Sequence, residues 1–417
     1  MKDREELYAT ILGIRRPWHV THVEVRAKQE EVTVTIAARS DVRHRCPSCG
    51  KSCPGYDTRR RSWRHLDTCQ FKTIVVADVP RVECGEHGVL QIDVPWAAPD
   101  SGFTVLMESL IIDWLLEASI SAVARRMQLS WDEIDGVKQR AVRHGLERRE
   151  LEDIRRVGVD ETSYQKRHEY VTVVNDLQRG RVLFVADDRK AASLDGFWTL
   201  LRPKQLRAIE AVAMDMCPGY VRSTLEHVED APSKICFDRF HVSKLLNDAV
   251  NTVRKQENRE LEAAGESAVK GTKYVWTQNP ENMPQDRRVM FDLLRTCALK
   301  AGRAWAIKDA ARWLWRYTTR GWAMKAWKQW IGWAMRSRLE PMKHVARTIR
   351  DQLWGILNAI VLGVTNAGSE SQNAKIQWIK KQACGFRNRQ RFRNAIYFHL
   401  GGLDLYPRPA SATHTTS

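Results

Sequence analysis

Apolar and polar residues alternate in Val32-Thr33-Val34-Thr35-Ile36 and again in Thr73-Ile74-Val75-Val76-Ala77, the period-two pattern of short antiparallel strands. From about Ser101 the period lengthens: Leu106, Leu110, Ile111, Trp114 and Leu115 form one helical stripe, and a second short helix follows from Ser119. Ser130 is placed to cap a third helix running from Trp131 to about His144. Strands return at Ile154 to Asp160, Tyr170 to Asn175 and Arg181 to Ala186, with Asn175 through Gly180 supplying a polar hairpin turn between the last two. A helix near Ser193 to Leu201, a strand ending at Asp215, a helix from Gly219 to about His227 and a strand from Lys234 to Asp238 complete this stretch.

The pattern predicts a multidomain chain mixing α+β and α/β parts. Its segments are a zinc-ribbon-like β module (1–100), a helix-turn-helix (101–150), the first part of a core (151–245), an all-α insertion (246–360), the last part of the core (361–403) and a tail (404–417). Three antiparallel strands followed by alternating helices and strands is the order of an RNase H-like core, in which the first strand is central and the fourth lies beside it. The tail lacks apolar periodicity and is expected to be disordered.

Charge narrows the partners. Lys and Arg number 67 against 50 Asp and Glu, a net +17 that suits a polyanion, with nucleic acid the default. No run approaches the roughly 18 apolar residues of a membrane span, and the charged start Met1 to Glu6 does not open a secretory signal. A soluble, cytoplasmic, nucleoid-associated protein is expected. Its nine cysteines then read as thiols and metal ligands, not as a disulfide framework.

Cys46-Pro47-Ser48-Cys49-Gly50 is a zinc knuckle, and Cys84-Gly85-Glu86-His87-Gly88 offers the second pair that tetrahedral Zn²⁺ needs. Cys53 and Cys69 are possible substitutes, and some of these thiols could simply be buried. Between the knuckles Arg59, Arg60 and Arg61 could contact phosphates or form a solvated hairpin. In the helical segment Ser119 to Ser130 reads as the first helix and turn of a helix-turn-helix, whose second helix would offer Lys138, Arg140 and Arg143 to a DNA groove. A plain helical connector would show similar spacing.

Three acids carry the catalytic reading. Asp160 closes Val157-Gly158-Val159, Asp215 closes Ala211 to Met214, and Glu370 follows Asn366-Ala367-Gly368-Ser369. Two acids on neighbouring strands and a third on a facing helix can hold Mg²⁺ or Mn²⁺ for phosphodiester chemistry. A lone strand-terminal Asp more commonly caps a turn. Asp238, after Ile235-Cys236-Phe237, competes for the second position or supports it; His241 could protonate a leaving group, position DNA or be structural.

Taken together, Cys46 to Gly50, Gly158 to Thr162, Asp215 to Tyr220, Asp238 to Val242, and Thr365-Asn366 with Lys380 to Arg387 resemble the ISL-three family of insertion-sequence transposases over nearly the whole length. The resemblance implies a DDE enzyme with catalytic acids at Asp160, Asp215 and Glu370. Such an enzyme would bind double-stranded terminal inverted repeats as a homodimer or larger assembly, cleave with a divalent metal and join the ends to target DNA. His87 stands where the family usually has Cys, Ala367 and Ser371 replace two glycines, and Cys384 stands where Tyr is common. Glu370 and Asn373 keep their i, i+3 spacing on one helix face. The other expectations kept open are an RNase H-fold nuclease without strand transfer and a non-catalytic DNA-binding regulator derived from a transposase.

Ten of the sixteen Trp lie between Trp276 and Trp378, which predicts a helical subdomain packed by indoles, or one exposed Trp stacking on an unpaired base. Beyond Glu370, Lys375, Lys380, Lys381, Arg387, Arg389, Arg391 and Arg393 are candidates for tracking phosphates. No Walker-type loop is present, so ATP is not expected.

Overall fold

A computed structural model describes residues 2–39, 42–165, 169–188, 190–266, 269–297 and 299–408. The chain divides into two compact units, 1–149 with 403–417, and 150–402.

The first unit opens with α1 (Lys2–Ile11) and a five-stranded sheet of β1 (Trp18–Arg26), β2 (Glu31–Ala38), β3 (Gly55–Thr68), β4 (Phe71–Cys84) and β5 (Gly88–Gln91). Its order is β1-β2-β4-β3, with β5 also on β4. The alternation read from sequence is the packing pattern: Val32, Val34, Ile36, Val75, Ala77 and Val79 point inward against Trp18, Trp63 and Trp96. Three helices follow, α2 (Val105–Glu117), α3 (Ile120–Met127) and α4 (Trp131–Arg148). Each starts where a hydroxyl accepts a backbone N–H, from Thr104, Ser119 and Ser130, the last in a full capping box with Glu133.

The tail differs from expectation. Residues 404–408 are ordered on α4, because Arg148 donates to the carbonyls of Asp404 (2.8 Å) and Tyr406 (3.1 Å) while the Tyr406 hydroxyl reaches Asp113 at 2.6 Å. Positions 409–417 lie outside the described residues.

The second unit is built on a sheet of β6 (Arg156–Gln165), β7 (Glu169–Asp176), β8 (Arg181–Ala186), β9 (Ala211–Met214) and β10 (Ile235–Phe237) in the order β10-β9-β6-β7-β8. β6, β7 and β8 are antiparallel, whereas β9 and β10 run parallel to β6. The parallel crossovers carry α5 (Ala191–Trp198), α6 (Pro203–Ala208), α7 (Pro218–His227) and the single turn α8 (Ala231–Lys234). β6 continues five residues beyond Asp160, so that acid sits in mid-strand and not at a strand end as its apolar run suggested.

Helices make up the rest: α9 (Arg239–Ala263), α10 (Lys273–Thr277), α11 (Gln285–Thr296), α12 (Lys300–Trp313), α13 (Arg320–Arg336), α14 (Glu340–Asp351), α15 (Leu353–Leu362), α16 (Ala367–Gln382) and α17 (Arg389–Leu400). Their core is continuous with that of the sheet, running from Val157, Val212 and Phe237 to Trp276, Trp327, Trp330 and Met342. α15 lies directly on β10: a Cβ on Gly355 would come within 2.4 Å of the Phe237 ring. Trp313, Trp322, Trp333 and Trp378 are exposed, so the indoles divide between packing and surface. Among the described residues no helix is long and apolar enough to cross a membrane.

Candidate metal centres and nucleic-acid surfaces

Gly158 pairs with Ala213 across β6 and β9, and Phe237 with Met214 across β10 and β9. Counted on in parallel register, these pairs bring Asp160 of β6 level with Asp215 and Asp238, the residues that directly follow β9 and β10, about 4.8 Å per step across the sheet. Asp215 is therefore at the end of the strand beside Asp160, and Asp238 one strand further out. The Asp215 carboxylate accepts the backbone N–H of Cys217 at 3.0 Å. Asp238 is buried, lies 3.3 Å from His241 Nδ1 and accepts the N–H of Asn366 at 3.4 Å.

Glu370 reaches this row on α16, whose start is stapled to the sheet. Asn366 Nδ2 donates to the Val159 carbonyl at 3.3 Å, and its backbone N–H binds Asp238. The close approach depends on Gly158, where a Cβ would meet Ser369 Oγ at 2.3 Å and Asn366 Oδ1 at 2.8 Å. Three residues after Glu370, Asn373 Nδ2 donates to Asp160 Oδ2 at 2.8 Å and to the Glu161 carbonyl at 3.2 Å. Gln377 continues the seam, bonded to Thr162 Oγ1 at 2.7 Å. Sequence reasoning assigned no function to Asn366, Gly158 or Gln377; a lone Gly inside an apolar strand is the one signal that pointed to a close approach.

The electrostatics are those of crowded anions. Burial first, then Asp215 and Asp238, pushes the Asp160 carboxyl up to about 6, against the pull of its Glu161 N–H bond and of His241. Burial and the Asp238 charge raise Glu370. His241 is raised in turn, chiefly by its bond to Asp238. No three of these carboxylates close to within 4.8 Å of one another. An open, oxygen-only, negatively charged donor set suits a hard divalent cation such as Mg²⁺ or Mn²⁺.

The first unit holds a different kind of centre. Ligand atoms of Cys46, Cys49, Cys84 and His87 all lie within 4.8 Å of one another. Cys49 and Cys84 Sγ are 3.7 Å apart, and His87 Nδ1 lies 3.6 Å from Cys84 Sγ and 3.9 Å from Cys46 Sγ. Zn–S bonds of 2.3 Å in a tetrahedron give edges of about 3.8 Å, so the group fits Zn²⁺. Gly50 and Gly88 turn each knuckle with φ of +72° and +69°. His87 and then the Glu86 backbone draw the Cys84 thiol down to about 6, toward the thiolate that a metal requires. Cys53 donates to the Lys51 carbonyl and Cys69 is exposed; neither joins the group.

Several basic residues expected at a DNA surface are committed elsewhere. Lys138 is buried in α4 at 5% exposure, and Arg140 pairs with the buried Glu108 of α2, its Nε 2.9 Å away. Of the three expected on that helix, only Arg143 is exposed; Arg125 and Arg126 at the end of α3 are exposed as well and were not anticipated. Arg61 donates to the carbonyls of Pro99 and Ser101, whereas Arg59 and Arg60 are exposed. Lys380 donates to the Ser163 carbonyl at 2.9 Å, Arg389 pairs with Glu169 at 3.0 Å and Arg393 with Asp187 at 3.2 Å, so these three fasten α16 and α17 to the sheet. Arg391 is half-buried, while Lys375, Lys381 and Arg387 remain exposed.

Comparison with known proteins agrees with this division. A family model described as "Transposase", of the ISL3 group, matches residues 157–396, more than half of the chain. The "zinc-finger of transposase IS204/IS1001/IS1096/IS1165" matches residues 43–87, and the "Helix-turn-helix domain of transposase family ISL3" matches 92–142. The chain is 27% identical over 416 residues to the transposase for insertion sequence element IS1557 of Mycobacterium tuberculosis, covering 92% of this chain and 93% of that protein. It is 24% identical over 352 residues to the transposase for insertion sequence element IS1001 of Bordetella parapertussis, covering 83% and 86%. With a zinc-binding β module, a DNA-binding helix-turn-helix and a matching transposase region in one chain, the protein belongs to the ISL3 family of insertion-sequence transposases.

Proposed function

We propose that the chain is a DDE transposase whose second unit is an RNase H-like core, with Asp160, Asp215 and Glu370 as its catalytic acids. The observation that supports this reading is the parallel register that sets Asp215 level with Asp160, beside a helix whose start is bonded to β6 and whose Glu370 feels the Asp238 charge. These carboxylates would hold Mg²⁺ or Mn²⁺, which would supply charge neutralisation for an in-line phosphoryl displacement. Asn373 orients Asp160 through its 2.8 Å bond. Asp238 is held by His241 and by the start of α16, and acts by positioning both. His241, raised by its bond to Asp238, is placed to hold or give a proton beside the scissile phosphate.

The first unit would recognise the double-stranded terminal inverted repeats of the element. Zn²⁺ held by Cys46, Cys49, Cys84 and His87 shapes the module, with Arg59, Arg60, Arg125, Arg126 and Arg143 as the exposed cations available to DNA. Cleavage would free a 3′ hydroxyl, which the same site then joins to target DNA within a dimer or larger assembly. A strand-transfer assay with the element's own ends tests this. Joined product in the wild type, lost in Asp215→Ala, is the expected result. Cleavage without joining would leave a nuclease, end binding without cleavage would leave a DNA-binding regulator, and activity that survives Asp215→Ala but not Asp238→Ala would move the second acid one strand outward.

A further inference from the structure

A cleft of about 270 Å³ opens between α9, the end of α10 and α12. Arg239, Ser243, Leu246 and Asn247 line it from successive turns of α9, Thr277 to Asn279 close one side, and Lys308 and Trp315 form the other. Lys308 is 93% buried by its 7% exposure, and its ammonium donates to the carbonyls of Trp276 at 3.1 Å and Thr277 at 3.0 Å. An ammonium has three donors, and the two backbone carbonyls take two of them, leaving the third for a ligand. Arg312, also on the wall, is paired with Glu281 and Asp309, and those two carboxylates balance Arg312 and Lys308 together, so Arg239 at the mouth is the cation left over. Arg239 is exposed at the mouth, one residue from Asp238. Asn247 Oδ1 is buried without a hydrogen-bond partner, an acceptor that requires a donor.

We propose that this cleft binds a single phosphate-bearing nucleotide, its phosphate on Lys308 and Arg239 and a donor group of its base or sugar on Asn247. The combination selects the ligand. The free donor of Lys308 and the exposed Arg239 suit a phosphate oxygen, and the orphaned amide oxygen takes an N–H or O–H, which the base or sugar of a nucleotide carries apart from its phosphate. The volume is too small for a duplex and matches one unstacked residue of a strand. This rests on the reading of the second unit as a DNA-processing core, because Arg239 adjoins the row of acids and the nucleotide would be part of the strand being processed. Burial lowers the Lys308 ammonium to about 8, and a bound phosphate would hold it protonated.

The test is titration calorimetry on the full-length protein with inorganic phosphate, a deoxynucleoside monophosphate and a short single-stranded oligonucleotide, alongside cleavage assays. The monophosphate is expected to bind at least about tenfold more tightly than inorganic phosphate, with the oligonucleotide tighter still if the ligand is a strand and no tighter if it is free nucleotide. Arg239→Gln and Lys308→Gln should each weaken monophosphate binding about tenfold, and Asn247→Leu, which removes the acceptor, should abolish its advantage over inorganic phosphate. Arg239 is exposed, so its variant keeps the test decisive if Lys308→Gln fails to fold. Monophosphate binding that is undetectable in the wild type, or equal in all variants, overturns the proposal. Asp215→Ala separates the two readings: it should lose cleavage while binding the nucleotide as the wild type does, and nucleotide binding in a wild type that cleaves no DNA would sink the enzyme assignment alone.

Discussion

Asn373 on α16 donates to Asp160 on β6 at 2.8 Å, joining two residues 213 positions apart in sequence. The same amide reaches the Glu161 carbonyl at 3.2 Å, so one side chain fixes both the Asp160 carboxylate and the distance from strand to helix. Asn373→Ala is expected to lower the cleavage rate roughly 10–100-fold, the range typical for loss of a group that orients a metal ligand. The apparent Mg²⁺ requirement should rise as well, whereas end binding should not change. Single-turnover cleavage across a metal titration measures both, and a rate loss that added metal never lessens would argue for a purely structural bond.

Asp160 gives the protein a dependence on pH with an unusual sign. Its folded value of about 6 lies above the ordinary 3.8, so the charged form is disfavoured by folding. The stability it contributes is fully present below pH 3.8 and is lost as pH rises through 6, on the order of 2 kcal/mol. In metal-free protein, Asp160→Asn should therefore gain on the wild type by about that amount between pH 4 and pH 7. Saturating Mg²⁺ should restore the wild type at pH 7 but not at pH 4. Denaturant titrations at both values decide it, and parallel pH curves for the two proteins would count against a buried, metal-dependent carboxylate.

Zinc should be present at one ion per chain. His87→Ala and Cys46→Ser should each release it and abolish specific end binding, since a site of this kind is folding free energy for the loops that form it. Cys53→Ala and Cys69→Ala should retain the metal, because neither sulfur joins the cluster. Elemental analysis of protein purified without chelator checks all four; zinc lost from the Cys53 variant would mean that the ligand set is wrong.

The basic residues after Glu370 should separate into two classes. Replacing Lys375, Lys381 and Arg387 with Gln is expected to weaken cognate and random DNA about equally and to reduce the salt slope by roughly one per charge. Arg389→Gln and Arg393→Gln should instead cost about 1 kcal/mol of stability each, because they tie α17 to Glu169 and Asp187. Competition binding over a range of salt, with parallel unfolding curves, distinguishes them. A flattened salt slope in Arg393→Gln with unchanged stability would reverse the assignment.

The pieces legible in the sequence were those set by local pattern. Alternating apolar residues marked β2 and β4 but not β1, β3 or β5, apolar runs marked the five strands of the second sheet, Ser119 and Ser130 marked helix starts, and the paired knuckles marked four residues that meet in space. What stayed hidden was set by partners distant in the chain. Nothing near Lys138 or Arg140 signals burial, because Glu108 lies 32 residues away on another helix. Lys380, Arg389 and Arg393 look like a DNA-binding cluster until β6, β7 and the end of β8 are placed beside them. β6 outruns Asp160 because Thr162 and Ser163 continue to pair with β7, a tertiary preference that an apolar run does not encode. The tail reads as polar, yet Leu405 is buried and Tyr406 finds Asp113.

The contact of Gly355 with Phe237 also has a bearing on timing. β10 is covered by α15, and α16 follows directly, so Glu370 reaches the sheet only after the long helical stretch has been made and has docked. At roughly 5–20 residues per second, a ribosome takes on the order of ten seconds to pass from Asp238 to Glu370. During that interval a nascent chain already has Asp160, Asp215 and Asp238 and, upstream, residues 1–149 of the first unit, but lacks α16 with Glu370. On the proposed assignment, a chain cut short before α16 keeps the helix-turn-helix and is missing the third acid.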